Sequence, residues 1–395
     1  MRAGMVVGDL RVQAMVHAGG RRSYTIVWSD GTVHEEADGF LRLSDGTGTQ
    51  KTYAYYLVDH LRWREREGLT TESVTLRDLH RYMGAVGARV PIPYGQPWRT
   101  PPKRPYGAAA LDVAAASLKG FYLHRCVFGV NSTLREGLEA RRLPTRVDRD
   151  RAVLGHAKTS VPVNPLAPRR GGRRRHPKML PEQARARLLE VMNTARDRLV
   201  VTWLADSGLR IGELTGLHLV DLHLRVDADC GDCPSPHLHV CHRGDNANRA
   251  AAKTKPDWWM RDGVVTGGLI KRASPAMVSF YFEYMTTEYS AATDHGMLLI
   301  QLTGPSRGQP WTADAARGVL RRAGRRAGLA GRIKPHAFRH TFTSAVLDAC
   351  GGDLLVAREA GGWTSVRTVD EVYGHPDLHA PDFDAALRAV WGEQA

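Results

Sequence analysis

Apolar positions recur every three to four residues along most of the chain, and this spacing predicts a mainly helical protein. Tyr53, Leu57 and Leu61 form one apolar stripe. A Thr-x-x-Asp start at Thr75 predicts a second helix over residues 75–83. The same periodicity predicts further helices at residues 108–128, 180–207, 275–289, 313–328 and 382–391.

A few short runs of β-branched and aromatic residues predict strands between these helices. Residues 23–28 are typical of a strand, and a Ser-Asp-Gly turn then leads to a short return at residues 32–34. Further along, residues 238–240 and 263–265 have the same character. The sequence therefore predicts small β elements, the first of which we interpret mainly as a cap on the next domain.

The length of 395 residues exceeds one ordinary core, so two or three domains are expected. We predict a small β-rich segment at residues 1–45, a helical domain at 46–163, a basic linker at 164–180 and a second domain at 181–395 that ends in a tail helix. A proline-rich run at residues 91–105 is predicted to be a loop inside the helical domain.

The net charge of +14 and the pI of about 9.8 favour a polyanionic partner. Most of residues 169–178 are Arg or Lys, with two glycines and no apolar anchor. Such a segment either lies along phosphates or is simply a solvated linker, and we favour the first interpretation. There is no apolar stretch long enough for a membrane span, and the N-terminus does not have the pattern of a signal peptide. Five scattered cysteines indicate a reducing, cytoplasmic setting.

Five residues in the C-terminal half have the chemistry needed to attack a phosphodiester. Four of them are Arg210, His336, Arg339 and Tyr373, and the fifth residue, Trp363, is included only for its place in the motifs described next. Arginine offers a permanently charged fork to phosphate oxygens, histidine moves protons near neutral pH, and tyrosine can form a covalent intermediate. His336 and Arg339 are three residues apart, which places them on one face of a helix.

This arrangement resembles the tyrosine recombinase family, also called the phage integrases. The resemblance lies in four motifs in the family's order: Arg210 with Glu213, His336-Ala-Phe-Arg339-His340, Gly362-Trp363, and Tyr373-Gly-His375. Each motif alone is weak, and the four together are specific. They cover the C-terminal half of the chain, whereas the N-terminal half resembles the family only in its helical pattern.

The resemblance implies a role for each of these residues. Arg210 and Arg339 would stabilise charge on the phosphate, and Tyr373 would be the nucleophile. His336 would accept the tyrosine proton or hydrogen-bond the phosphate, with His340 as structural support. Trp363 replaces the histidine of many members, and its indole N–H can donate to a phosphate but cannot transfer a proton.

The family also uses a lysine to protonate the leaving 5′ oxygen. Lys253 fits the family's Ala-Lys placement better than Lys255 does. Residues 256–261 interrupt the strand that usually follows, so the choice between the two lysines stays open.

The resemblance further implies a fold and a function. The fold is mainly α with small β elements, an N-terminal helical core-binding (SAM-like) domain and an α+β catalytic domain. The expected activity is that of a site-specific DNA recombinase or integrase of a mobile element, which acts through a 3′-phosphotyrosyl intermediate without cofactor or catalytic metal. Its expected partner is double-stranded DNA, bound by a homo-tetramer in the cytoplasm at the nucleoid. The alternatives are a topoisomerase IB-like nicking-closing enzyme and a non-catalytic sequence-specific DNA-binding protein.

One cysteine-rich stretch falls outside these motifs. Cys230 and Cys233 have CxxC spacing, and His237, His239 and Cys241 would share one face of a strand. A structural zinc is one interpretation of this stretch. A single CxxC is a weak signal and the family needs no metal there, so no metal ligand is predicted.

Overall fold

The computed structural model describes residues 10–18, 22–45, 47–87, 104–150, 155–168, 177–254, 256–290, 293–331 and 333–373. The chain divides into two compact units, Met1–Arg173 and Arg174–Ala395. Most of the predicted loop at 91–105 and of the basic segment at 169–178 lies outside the described residues, as does the whole tail helix at 382–391. The division into four segments stays a prediction.

The first unit consists of a hairpin followed by helices. Its elements are β1 (Arg11–Val16), β2 (Arg22–Val27), α1 (Glu35–Arg42), α2 (Gly48–Arg66), α3 (Leu76–Gly87), α4 (Ala108–Val127), α5 (Thr133–Leu138), β3 (Arg141–Arg142), α6 (Arg146–Asp150) and β4 (Val161–Pro162). The helices predicted at 75–83 and 108–128 are confirmed as α3 and α4. The predicted start of α3 is also confirmed, since Thr75 and Asp78 bond each other's backbone N–H groups.

The N-terminal hairpin differs from its prediction in the partner strand. β2 pairs in antiparallel register with β1, from Arg11 opposite Val27 to Val16 opposite Arg22. The predicted return at residues 32–34 contributes only a single bridge, between Val27 and Val33. The β1 sequence mixes polar and apolar residues without a clear alternation, so the pattern gave no strand signal there.

The hairpin and the helices of the first unit share one apolar core. Leu10 and Ile26 are fully buried with Leu57, Leu118 and other helical side chains. Burying each such side chain contributes roughly 1.5–3 kcal/mol. Arg62 of α2 also donates to the Leu10 carbonyl at 2.8 Å. The hairpin is therefore an integral part of this unit, as a cap on its helices.

The second unit alternates helices with small sheets. Its elements are α7 (Ala184–Glu190), α8 (Ala195–Ser207), α9 (Ile211–Thr215), β5 (Leu222–His223), β6 (His237–Val240), β7 (Trp258–Arg261), β8 (Val264–Gly267), β9 (Leu269–Arg272), α10 (Pro275–Thr287), α11 (Ala313–Arg326), α12 (Pro335–Ala349), α13 (Leu354–Gly361) and α14 (Val366–Tyr373). The predicted helix at 180–207 is two helices, because residues 191–194 break it. The helices predicted at 275–289 and 313–328 are confirmed as α10 and α11.

A three-stranded antiparallel sheet in the order β5-β6-β9 lies within the second unit. Leu238 of β6 stands opposite Leu222 of β5 on one side and Lys271 of β9 on the other. Side chains alternate along a strand, so Leu238 points to one face of this sheet while His237 and His239 point to the other.

The sheets are small, and helices form both cores, so the predicted class of a mainly α protein with small β elements is confirmed. In the part of the chain that the structure describes, no helix is both long and apolar enough to cross a membrane.

Candidate active site

Arg210 is positioned by a turn at Gly208, between α8 and α9. α8 ends at Gly208, whose φ of +60° is in the left-handed region that favours glycine. A Cβ at this position would lie 2.5 Å from a ring carbon of Phe342 in α12. Arg210 then caps the N-terminus of α9 with extended backbone. The tight packing of Gly208 against α12 therefore holds Arg210 close to the helix that carries the His-x-x-Arg motif.

Glu213 links the two arginines of the site. Its buried carboxylate accepts from the Arg210 backbone N–H at 2.8 Å and from the Arg210 guanidinium at 2.5 Å. The other guanidinium, that of Arg339, lies 3.8 Å from the same carboxylate. One negative charge thus holds two positive ones at a fixed separation and leaves the pair with net positive charge.

Arg339 lies at the centre of the site and is fully buried. Its two terminal nitrogens donate to the carbonyls of Gly208 at 3.0 Å and Gly362 at 2.7 Å. Its Nε is buried and has no hydrogen-bond partner among the described residues. Burial and the nearby Arg210 charge lower the Arg339 pKa to about 10, so the guanidinium stays charged at neutral pH.

Trp363 packs on this guanidinium. The Arg339 Cζ lies 4.5 Å from the centroid of its ring, close enough for a cation–π contact. Gly362, the residue before it, has φ of +64° and ends α13 in the left-handed region. The indole N–H donates to the Thr343 hydroxyl at 3.1 Å. In this structure Trp363 is thus a packing residue. Its N–H, which the sequence suggests as a donor to a phosphate, is hydrogen-bonded to Thr343 instead.

The Tyr373 hydroxyl reaches the site from the end of α14. It lies 2.6 Å from Nδ1 of His340, and the two rings have their centroids 5.7 Å apart. Its ring also makes an edge contact with Trp363 at 5.9 Å. Burial raises the Tyr373 pKa to about 12, although Thr343 and Arg339 both act to lower it. The predicted nucleophile is therefore held against His340 and Trp363, as a neutral phenol.

The histidine that contacts Tyr373 is His340. The family resemblance implies that His336 accepts the tyrosine proton or hydrogen-bonds the phosphate. The His336 ring instead makes an edge contact with His340, with centroids 4.5 Å apart. Burial, His336 and Arg339 lower the His340 pKa to about 4, so His340 is neutral at neutral pH. Burial, Arg339 and Arg210 also lower the pKa of His336. His340 is therefore the better placed of the two to take the tyrosine proton.

Lys253 lies in an irregular segment that is anchored beside α9. A Cβ on Gly212 would lie 3.2 Å from the Ala251 carbonyl oxygen, and the Ala252 carbonyl bonds the ring of His242 at 2.7 Å. Ala250 and Ala252 are buried, whereas Lys253 itself is exposed. Its segment precedes the hairpin of β7 and β8, so Lys253 does not lie on that hairpin. Lys255 is outside the described residues.

Lys271 is a cation of the site that sequence reasoning missed. It lies on β9, is 2% exposed, and donates to the Ala360 carbonyl at the end of α13. Burial, then the charges of Arg339 and Arg210, lower its pKa to about 7, although Glu213 and Glu359 act to raise it. Its sequence signal is the position of the lysine directly after two apolar residues, Leu269 and Ile270, in a short run typical of a strand.

We expect replacement of His340 by Ala to slow covalent attack by about 10²-fold or more, since it removes the hydrogen-bond partner of Tyr373. His336→Ala is the matched control. We expect it to slow attack less, because the His336 ring contacts His340 and does not hydrogen-bond the Tyr373 phenol. Single-turnover formation of a protein–DNA adduct measures both. A larger defect in His336→Ala than in His340→Ala would return the base role to His336.

Comparisons with known proteins cover part of the residues that form this site. Residues 270–379 match the family model described as the phage integrase family. This range includes Lys271, the His-x-x-Arg motif, Trp363 and Tyr373. Arg210 and Lys253 precede it.

Several curated proteins are similar to part of the chain. Transposase A from transposon Tn554 of Staphylococcus aureus is 26% identical over 188 residues, which is 48% of this chain and 46% of that protein. The tyrosine recombinase XerD of Corynebacterium glutamicum is 30% identical over 50% of this chain and 51% of its own length. The chain thus spans about half the length of these two relatives.

Solved structures share the fold over most of the chain. The integrase of transposon Tn1549, in complex with transposon right end DNA, aligns with a TM-score of 0.55 at 15% identity, over 90% of this chain and 98% of that one. The XerH site-specific recombinase bound to difH substrate aligns with a TM-score of 0.53 at 15% identity, over 87% and 80%. The predicted fold, a helical N-terminal domain followed by a tyrosine recombinase catalytic domain, is confirmed. In its motifs, its fold and the match over residues 270–379, the chain is similar to the phage integrase family of tyrosine recombinases.

Proposed function

We propose that the chain is a site-specific DNA recombinase that cuts and rejoins DNA through a 3′-phosphotyrosyl intermediate at Tyr373. The observation that carries this proposal is the position of the Tyr373 hydroxyl, 2.6 Å from His340, in a site built around the buried Arg339. A phenol, a base and fixed guanidinium groups are what attack on a phosphodiester requires.

In the first step the Tyr373 oxygen attacks the phosphorus and its proton passes to Nδ1 of His340. A bond forms between the tyrosine oxygen and phosphorus, and the bond from phosphorus to the 5′ oxygen breaks. Arg210 and Arg339 stabilise the charge that builds on the non-bridging oxygens, and the unpaired Nε of Arg339 is one donor for them. His336, on the exposed side of His340, supplies a further hydrogen bond to the phosphate.

The leaving 5′ oxygen needs a proton, and Lys253 is the donor that we assign. Lys253 is exposed and follows Ala251 by two residues, and the Ala251 carbonyl oxygen lies against Gly212 in the helix that Arg210 caps. Lys271 is already bound to the Ala360 carbonyl and is buried beneath Gly362. We therefore assign Lys271 to positioning the chain around Arg339.

We expect Lys253→Ala to reduce cleavage of ordinary DNA by about 10²–10⁴-fold, the usual contribution of a general acid. DNA with a sulfur in place of the bridging 5′ oxygen should restore most of that loss, because a thiolate leaves without a proton. The comparison variant is Lys271→Met, whose defect the sulfur substrate should not relieve. If the sulfur substrate rescues Lys255→Ala and does not rescue Lys253→Ala, Lys255 is the proton donor to the leaving 5′ oxygen.

The partner that we propose is duplex DNA at paired recombination sites, bound by four copies of the chain, as part of a transposon or phage. The relatives support this assignment, since they include a transposase and a tyrosine recombinase, and since the transposon integrase was solved in complex with DNA. Net charge of +14 suits such a partner.

The experiment uses the DNA that flanks the gene, where paired repeats mark the ends of a mobile element. The full chain is incubated with a nicked duplex of one repeat and the products are separated on a denaturing gel. A recombinase gives a covalent adduct on one site and exchanged strands with two. Plasmid relaxation without any repeat would indicate a topoisomerase instead, and specific binding without an adduct would indicate a DNA-binding protein.

A further inference from the structure

Four side chains of the types that ligate metals lie close together on one face of the three-stranded sheet, the face opposite Leu238. They are His223 of β5, His237 and His239 of β6, and Cys230 from the loop that joins these strands. One ligand atom of each lies within 4.8 Å of the ligand atom of every other. Both β6 histidines are fully buried. The cluster thus combines residues from two adjacent strands and the loop between them.

The hydrogen bonds of the two β6 histidines fix which nitrogen carries the proton. Nδ1 of His237 lies 2.7 Å from the Ser235 carbonyl, and Nδ1 of His239 lies 2.6 Å from the Gly267 carbonyl. A carbonyl only accepts, so each Nδ1 is the N–H donor and each Nε2 of the neutral ring has a free lone pair. Histidines that bind metals have this arrangement, in which a backbone carbonyl orients the ring.

The free lone pairs point at one another. The two Nε2 atoms are 3.1 Å apart, and Nε2 of His237 is 3.2 Å from the Cys230 sulfur. Two unprotonated nitrogens at that distance repel each other. An extra proton between them would relieve the repulsion, but it would place a positive charge among fully buried residues at a high energetic cost. A cation between them removes this conflict.

The third histidine completes the set. The His223 ring has its centroid 5.1 Å from that of His237 and 4.7 Å from that of His239, and it also hydrogen-bonds backbone, at Val220. Tetrahedral zinc with Zn–N of about 2.0–2.1 Å and Zn–S of about 2.3 Å needs ligand atoms about 3.3–3.8 Å apart. The spacing of the cluster therefore fits one ion with small side-chain movements.

We propose that His223, Cys230, His237 and His239 bind one structural zinc ion. Four protein ligands close the coordination shell and leave no position for a substrate, as in structural sites. This set differs from the one considered in the sequence, because Cys233 and Cys241 do not belong to the cluster and His223 does.

The ion would fix the loop of residues 224–236 to the back of the catalytic sheet. Asp232 of this loop accepts from the Gly267 backbone N–H at 2.8 Å, and the Gly267 carbonyl bonds His239. On the opposite face, Leu238 of the same strand stands beside Lys271. The metal is thus predicted to hold the scaffold of the active site and to take no part in the reaction.

The proposal is tested on the full chain with Zn²⁺ and Co²⁺ as probes. Protein purified without chelator should contain about one zinc per chain, measured by mass spectrometry of the acidified sample. Exchange with Co²⁺ should give the intense visible bands of a tetrahedral site together with a near-ultraviolet sulfur-to-cobalt band. Removal of zinc by a strong chelator should lower the midpoint of thermal unfolding, and added Zn²⁺ should restore it.

Cys230→Ser should lose the sulfur-to-cobalt band and most of the bound zinc, and its unfolding midpoint should no longer respond to chelator. The matched control is Cys233→Ser, three residues away and outside the cluster, which should keep both the band and the metal. Wild-type protein without stoichiometric zinc and without the cobalt bands would overturn the proposal, whatever the variants do. Loss of the band in Cys233→Ser alone would overturn the ligand set, and stoichiometric iron or copper would overturn the identity of the ion.

Discussion

Replacing Tyr373 with Phe will abolish the covalent protein–DNA adduct while leaving DNA binding intact. Phenylalanine keeps the edge contact with Trp363 and loses the only attacking atom. Adduct formation should fall by at least about three orders of magnitude, the scale seen when a nucleophile is removed from an enzyme that acts covalently. The hydroxyl's hydrogen bond to His340 is lost as well, at a cost in stability of only about 1 kcal/mol.

The measurement is a denaturing gel of end-labelled nicked DNA, followed by peptide mapping of the slow band in the wild-type chain. Tyr289→Phe is the matched control. Its hydroxyl also makes hydrogen bonds, to Thr293 and Met297, but outside the site, so its adduct should persist. Mapping of the adduct to another tyrosine or to a serine would refute the whole assignment.

The second large effect is expected at Arg339. Arg339→Ala should reduce adduct formation by about 10²–10³-fold or more, because preorganised charge at the phosphate is lost. Arg339→Lys keeps the charge but cannot donate to both the Gly208 and Gly362 carbonyls, so it should recover little. Both variants also leave buried carbonyls without a donor, which costs about 1–3 kcal/mol for each group.

Folding and catalysis are separated by measuring the unfolding midpoint and DNA binding together with adduct formation. The comparison variant is Arg317→Ala on α11, an exposed arginine paired with Asp314, which should behave like the wild type. An Arg339→Ala protein that is folded, binds DNA and still forms the adduct at the wild-type rate would contradict the role of Arg339.

The sequence predicted the site where the residues are close along the chain or follow a specific motif. The His-x-x-Arg helix, Arg210 with Glu213, and Tyr373 come together as those motifs indicate. The sequence could not assign the contacts between side chains. Whether His336 or His340 touches Tyr373 depends on the packing angle of α14, and no spacing in the sequence encodes that angle.

The strands were the least predictable part of the fold. β5 and β9 are two and four residues long, and each depends on pairing with β6. Such pairing is a tertiary effect and leaves little periodicity in so short a run. His223 and Lys271 lie on these two strands, so the sequence did not predict either of them as a site residue.

The hydrogen bond between Tyr373 and His340 also affects how reactive the proposed nucleophile is before any DNA is bound. With its pKa raised by burial to about 12, the Tyr373 phenol is neutral at pH 7. His340, with a pKa of about 4, is a weak base in the same state. A phosphate bound beside His340 adds a negative charge, which raises the basicity of the imidazole just when a proton must leave the phenol. If Tyr373 is the nucleophile, as proposed, it is therefore unreactive in the free chain, and binding of the phosphate itself increases its reactivity.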